Sequence, residues 1–298
     1  MRRKKSQRAL DGLVYVFSYG TFHFFKMLPC VVYPHISGIL AYFLLFNAGL
    51  KKKVRKNIRA VYKNTLSPEE RSILVKKIFQ NNVFFLTEFV LWTKLNPDKA
   101  LKLIEFKNLG PLKKSCEIKK PVVLISGHIG NFSIMIASLV YAKIPMTMIT
   151  RDTNNVYLSR FIDRIRKEKG IFGIQKDNPK KTIYLSSKWL RNGKTLCLLI
   201  DQHSGKGTDV QFFGNRVQAP IGAAVFARKY NADVFGAFIR HKTNFRHTVF
   251  IEGPYPIAKT TNAQRDFQTN TQFFYSRIEH YVKEKPEDWF TWLHRRFR

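Results

Sequence analysis

The stretch LISGHIGNFSIM, residues 124–135, carries the residue type best suited to proton transfer near neutral pH. His128 follows an apolar run, with Gly127 before it and Gly130 two residues on. A histidine just past a strand exposes its ring at the top of a sheet. Glycines there let the backbone turn tightly and let a ligand approach closely. The helix expected to open at Asn131 presents unpaired N–H groups to developing negative charge. Together these features suit general-base catalysis beside an oxyanion. Taken alone, a lone histidine fits a structural turn with a hydrogen-bonded ring better, and only the flanking sequence shifts the reading. Ser133, five residues after His128, can hydrogen-bond an imidazole but carries no charge.

Two more polar groups close apolar segments. Arg151 follows IPMTMIT (144–150), and Asp201 ends TLCLLID (195–201). The elements that must position them are legible after Pro121. PVVLISG reads as a short strand, and NFSIMIASLVYAK as the helix after it. IPMTMIT, TLCLLID, DVFGAFIRH and HTVFIEGPY read as further strands. NNVYLSRFIDRIRKEKG, 179–192, 220–232 and 261–284 read as helices, two of them stopped by Gly170 and Gly193. Upstream, 57–96 reads as helical, with Ser67 as a cap and Pro68 in a first turn. Strands alternating with helices predict an α/β domain with a largely parallel sheet flanked by helices. Continuous apolar runs are what strands buried on both faces look like. Sites in such sheets gather at the carboxyl ends of strands, so His128, Arg151 and Asp201 are expected on one rim.

The chain has 298 residues, enough for one large domain or two small ones, and 45% of them are apolar. Its net charge is +32, from 52 basic and 20 acidic residues. That field favours nucleic acid, anionic lipid or an acidic protein, and composition does not choose among them. The three cysteines, Cys30, Cys116 and Cys197, have no metal-ligand spacing and form no disulfide framework. Cys30 and Cys197 lie in apolar runs and read as small buried hydrophobes in a reducing compartment.

The amino end is a basic cap, MRRKKSQR, then an apolar, aromatic run to Phe25. Residues 27–50 contain no Asp, Glu, Lys or Arg, although Pro29, Pro34 and His35 interrupt their first part. A membrane-spanning helix needs ~20 such residues. A second basic cluster follows, Lys51, Lys52, Lys53, Arg55, Lys56 and Arg59. The apolar region is too long, and lacks the small-residue site, for a cleaved signal peptide. We therefore expect residues 1–56 to form a basic cap and helical membrane anchor, spanning or partly embedded, and residues 57–298 to form the α/β domain. Basic flanks suit anionic lipid.

GHIGNFS resembles the HxGNWE-type signature of the lipid A biosynthesis acyltransferase family. TRDTNNVYLSRFIDRIRKEKG resembles that family's second block, and DQHSGKGTDVQFFGNRVQAPIGAAVFARKYNADVFGAFI its third. PEDWFTWLHRRFR is similar to its closing segment, and the apolar anchor before KKKVRKNIRAVY is similar too. Four blocks in the family's order make the resemblance specific. It implies a glycerolipid acyltransferase-like fold, and an O-acyltransferase that moves a fatty acyl chain from an acyl carrier protein or acyl-CoA thioester to a hydroxyl of a phosphorylated glycolipid, such as a lipid A precursor. It implies no metal or redox cofactor, and a catalytic domain facing the cytoplasm at the bacterial inner membrane. It makes His128 the general base, with Gly130 and Asn131 shaping the site. Arg164 and Arg166 match the basic pair of the second block and would bind phosphate or position substrate. Arg151, from its place after a strand, reads equally as a phosphate ligand or as a simple strand-end cap. Asp201 matches the acid that opens the third block.

Ser133 departs from the pattern, which has Glu or Asp there to orient and charge-stabilise the imidazole. Val156 and Ser159 also depart from the second block. Three explanations stand side by side. Asp201 or Asp152 supplies the charge from another strand end; a His–Ser pair works slowly; or the chain is a catalytically impaired lipid- or carrier-binding homologue. Other motifs have plainer readings. HSGKG lacks Walker spacing, so nucleotide binding is unsupported. His203 reads as a loop residue or a supporting group. The basic run from Arg160 to Lys169 reads as a solvated face or a phosphate site. Trp289, Phe290, Trp292 and Phe297 read as packing residues, or, with His294, Arg295, Arg296 and Arg298, as a membrane-surface contact. A nucleic-acid role would explain the charge but neither the apolar amino end nor the ordered blocks.

Overall fold

The computed structural model describes residues 5–294 except 152 and 206, together with 296 and 297. The basic cap, Asp152, Arg295 and Arg298 thus lie wholly or partly outside the described residues. Four long helices come first: α1 (Lys5–Met27), α2 (Tyr33–Leu44), α3 (Ala48–Tyr62) and α4 (Pro68–Thr93). Then follow α5 (Pro97–Leu101), β1 (Ile104–Lys107), α6 (Leu109–Glu117), β2 (Val122–Ser126), α7 (Phe132–Tyr141), β3 (Met146–Thr150), α8 (Val156–Glu168) and β4 (Phe172–Gln175). The chain continues through α9 (Pro179–Arg191), β5 (Thr195–Leu199), the hairpin β6 (Thr208–Phe212) and β7 (Asn215–Ala219), and α10 (Gly222–Tyr230). It ends with β8 (Asp233–His241), β9 (His247–Glu252), α11 (Ala263–Glu284) and short 3-10 turns.

Seven strands form one sheet in the order β1-β9-β8-β2-β5-β3-β4. The five from β8 to β4 are parallel; β9 pairs antiparallel with β8 and parallel with β1. This is the largely parallel, helix-flanked α/β fold that the alternation of apolar runs predicts. Every residue of β2 is buried. Its alternate side chains feed two cores, Val123 and Ile125 on one face, Val122 and Leu124 on the other. The short β1 and β4 and the β6–β7 hairpin are additions that the apolar pattern did not mark.

The expected helix over 57–96 is two helices. α3 ends at Lys63, which has a positive φ, and α4 restarts behind a reciprocal cap in which Ser67 accepts from the Glu70 N–H while Glu70 accepts from the Ser67 N–H.

Among the described residues, no single helix is long and apolar enough to cross a membrane. α1 and α2 instead form a pair bent by 118°. Tyr15, Tyr19 and Phe22 of α1 pack on Phe161 of α8, and α2 lies against α4. Leu13, Phe17, Phe24, Met27, Phe43 and Phe46 remain exposed. Cys30, expected to be buried, is exposed at the bend, because the apolar run around it faces outward; Cys197 is buried in β5 as expected. Trp289, Trp292 and Phe297 are buried in the core, which removes the membrane-surface reading for these three.

Candidate active site

β2 and β5 are parallel neighbours, and their register pairs Ser126 with Leu199. Two residues further on, the same alignment sets His128 beside Asp201. His128 Nδ1 lies 2.6 Å from Asp201 Oδ1, and the His128 backbone N–H donates to Oδ2 at 3.0 Å. The Trp289 indole N–H and the Thr291 hydroxyl also donate to Oδ2, at 2.8 and 2.7 Å. Asp201 is fully buried. Burial alone would push its carboxyl up. The charge of His128 and the hydrogen bonds from His128, Thr291 and Trp289 outweigh that and hold it below the usual carboxylate range. An ionised acceptor on Nδ1 fixes the proton there and leaves the Nε2 lone pair to the solvent side. Gln202 Nε2 is 3.5 Å from Nε2, and the Phe132 ring stands edge-on to the imidazole at 4.9 Å between centroids.

The loop that bears His128 is pinned by the end of the chain. Ile129 bridges to Trp289; the Phe290 N–H donates to the His128 carbonyl and the Gly130 N–H to the Asp288 carbonyl, both at 2.8 Å. Gly130 has φ +56°, and a Cβ there would meet the Ile239 carbonyl oxygen at 2.7 Å. Only glycine fits that turn. Asn131 is buried and caps α7, accepting from the Ile134 N–H. Its amide donates to the Phe85 carbonyl and to Glu88, a fully buried acid that also holds His247 at 2.9 Å.

Ser133 is elsewhere. It makes no hydrogen bond to His128 and helps line an apolar cavity with Phe89, Phe132, Ile136, Met148, Ile162, Ile165, Ile171 and Arg166. The cavity encloses about 530 Å³ of empty space, part of it open to solvent. Arg166 pairs with Asp163 at 3.1 Å at its edge. Arg164 is exposed on the same helix. Arg151 follows β3 as expected but borders a separate polar cleft with Thr153, Arg160, Asp163, Lys176 and Asp177. The structure thus joins His128 to Asp201 and leaves Arg151 apart from them. Among the described residues, no group of three His, Cys, Asp or Glu side chains is gathered closely enough to hold a metal ion.

The sequence does not single out Thr291 and Gln202, and it reads Trp289 as packing or a membrane-surface contact rather than as a partner of Asp201. Gln202 adjoins Asp201, and the other two lie in the closing segment whose resemblance to a family block was the one available signal. Nothing local marks a threonine as a partner of an acid ninety residues away.

An imidazole held by a buried acid at the carboxyl end of a parallel sheet, beside an apolar cavity, can support base-assisted chemistry on a substrate with an apolar chain. The whole chain, residues 1–298, matches the family model described as bacterial lipid A biosynthesis acyltransferase, and the protein belongs to that family. It is therefore an acyltransferase of lipid A biosynthesis, with an acyl donor and a lipid acceptor. No curated protein matches it.

Proposed function

We propose that the protein transfers a fatty acyl chain from a carrier thioester, on acyl carrier protein or coenzyme A, to a hydroxyl of a phosphorylated glycolipid, with His128 as general base. The observation that carries this reading is the 2.6 Å contact between His128 Nδ1 and buried Asp201. His128 Nε2 takes the proton of the acceptor hydroxyl while that oxygen attacks the thioester carbonyl. Asp201 holds the ring and stabilises the imidazolium that forms. The tetrahedral oxyanion faces the amino end of α7, where N–H groups favour negative charge. Collapse breaks the C–S bond, and the leaving thiolate takes the proton back from His128. The acyl chain lies in the cavity beside Ser133, whose neutral hydroxyl leaves that wall uncharged.

Gly130 and Asn131 shape the loop, and Arg151, Arg164 and Arg166 form a basic surface for phosphate next to the cavity. The α1–α2 pair embeds its exposed apolar side chains in one leaflet without spanning, as an anchor within 1–56 for the acyltransferase body of 57–298. The site then sits at headgroup level on the cytoplasmic side of the inner membrane, where carrier thioesters are made. The reading of an impaired binding homologue rests on Ser133; the four hydrogen bonds to Asp201 weigh against it.

The test is acyl transfer by detergent-solubilised protein from a labelled carrier thioester to a membrane glycolipid extract. Wild type is expected to form product and His128→Ala none. Equal product from both would sink the assignment of the base.

A further inference from the structure

Glu88, in the last third of α4, is fully buried, and the His128–Asp201 pair makes no use of it. Its Oε2 accepts from the Asn131 side-chain amide at 3.0 Å. Its Oε1 lies 2.9 Å from Nε2 of His247, also fully buried, and 3.7 Å from Nε2 of His241. The carboxyl group thus joins three elements far apart in the chain. These are α4, the turn before α7, and the paired ends of β8 and β9, where His241 and His247 stand opposite each other. A buried carboxyl group is costly to keep, and apolar side chains of similar volume often stabilise a core as well or better. Packing therefore does not account for an acid at this position.

What Glu88 does to Asn131 is specific. The Asn131 amide nitrogen also donates to the Phe85 carbonyl at 2.9 Å. A carbonyl and a carboxyl oxygen on one side leave the amide a single orientation, nitrogen toward α4 and oxygen toward α7. That oxygen accepts from the Ile134 N–H at 3.4 Å and caps the helix. Asn131 has φ −84° and ψ +69°, outside helical geometry, so it turns the chain from Gly130 into α7. In the first turn of α7 the Phe132 N–H donates to the Gly130 carbonyl, and the Ile134 N–H to Asn131. The Ser133 backbone N–H makes no hydrogen bond among the described residues. In the same turn, the Phe132 ring stands 4.9 Å from the imidazole of His128. An unused N–H thus lies one residue from the ring that touches the base, at a helix end that favours negative charge.

We infer that Glu88 is a positioning residue for acyl transfer: by holding the Asn131 amide it fixes the chain between His128 and α7, so that the Ser133 backbone N–H meets the oxyanion. The inference rests on the acyl-transfer reading and deepens it by naming the donor and its support. As the acceptor oxygen adds to the thioester carbon, the carbonyl oxygen takes the negative charge and accepts from this N–H. The charge returns to the C=O bond as the C–S bond breaks. Glu88 itself touches no substrate. His247 and His241 face its other oxygen and keep the carboxyl group from turning away from Asn131. Position 133 then acts through its backbone, which leaves its side chain free to line the apolar cavity.

The experiment has a kinetic arm and a binding arm. Transfer from a labelled acyl thioester is measured for wild type, Glu88→Leu, Glu88→Gln, Asn131→Ser and the double variant Glu88→Leu/Asn131→Ser, with circular dichroism on each. Glu88→Leu should lower kcat about 30-fold and leave KM for the acyl donor within about twofold, since the N–H acts on charge that develops in the transition state. Glu88→Gln keeps an oxygen for Asn131 and should stay within about threefold of wild type. Asn131→Ser still caps α7 but cannot reach Glu88, so it should match Glu88→Leu and replaces it as the test if that variant does not fold. The double variant should be no slower than the slower single one. The binding arm needs no turnover. A long-chain alkyl trifluoromethyl ketone, whose hydrate is tetrahedral, is titrated calorimetrically beside the methyl ketone of the same chain. Wild type should bind the trifluoromethyl ketone about tenfold more tightly, and Glu88→Leu and Asn131→Ser should lose most of that preference. The inference is overturned by an unchanged kcat in Asn131→Ser, by losses that multiply in the double variant, or by a ketone preference that the variants keep. Wild type that prefers the trifluoromethyl ketone, with the variants losing that preference, but transfers no acyl group would instead fault the acyl-transfer reading and leave the Glu88-supported oxyanion site standing.

Discussion

Five residues separate His128 from Ser133, yet their surroundings are opposite. His128 faces a buried carboxylate that receives four hydrogen bonds. Ser133 faces isoleucines, a methionine and phenylalanines, with Arg166 the single charge in the lining. The difference shows what a buried, ionised carboxylate requires. A carboxylate can stay ionised away from water only where donors are already aimed at it. Those donors exist past the end of β5, where the closing segment crosses, and not on the Ser133 face of α7. The charge that orients His128 therefore comes from a neighbouring strand, and the helix position is left free to be neutral.

The largest effect should follow from breaking the His128 side. Asp201→Asn should lower turnover by roughly 10⁴, since the ring loses both its anchor and its counter-charge. The measurement is kcat for acyl transfer, with circular dichroism to show that the variant is folded. Turnover within tenfold of wild type would show that the contact is structural only. The Ser133 side should respond in the opposite sense. Ser133→Glu places a charge in the apolar cavity, so turnover should stay level or fall, with a bias toward shorter acyl chains. A rise in turnover would mean that a helix-borne carboxylate does serve this histidine, and the comparison would collapse.

Gly130→Ala sharpens the comparison by disturbing only the loop. Its positive φ and the 2.7 Å approach to the Ile239 oxygen should cost about 1–3 kcal/mol, read as a lower denaturation midpoint. Thr291→Val removes one donor from Asp201 and should cost about 1.5–3 kcal/mol. Its signature is in the pH dependence. The Asp201 carboxyl is depressed in the folded protein, so its contribution to stability is complete above the unfolded value near ~3.9 and is lost as pH falls below it. Loss of a donor raises the folded value and moves that decline toward higher pH, which melting curves between about pH 2 and 5 would resolve. An unshifted decline would mean that Thr291 contributes packing alone. The smallest effect concerns the cysteines. Burial pushes the Cys197 thiol up to about 12, so iodoacetamide should label exposed Cys30 and spare Cys197 in the native protein, as peptide mapping would report.

Much of this arrangement is local and therefore legible. The capping residues Ser67, Asn131 and Asn178 mark the starts of α4, α7 and α9 because a side-chain oxygen satisfies N–H groups two or three residues away. The buried strands β2 and β5 announce themselves as nearly unbroken apolar runs. β1, β4 and the β6–β7 hairpin do not, because short or half-exposed strands carry too few apolar residues to stand out. Cys30 shows the same limit in reverse. An apolar neighbourhood in the chain buries a residue only if something packs on it, and the outer faces of α1 and α2 are left bare.

The sequence by itself determined that the fold alternates strands and helices and that His128 ends a buried strand between glycines. It also determined that Ser133 leaves the usual acid position empty. Only the tertiary structure decided which carboxylate meets the imidazole. That choice depends on β5 lying beside β2 in one register and on the closing segment returning across both strand ends with Trp289 and Thr291. These contacts join residues far apart in the chain, and hydrogen bonds of that kind leave no periodic pattern in the sequence.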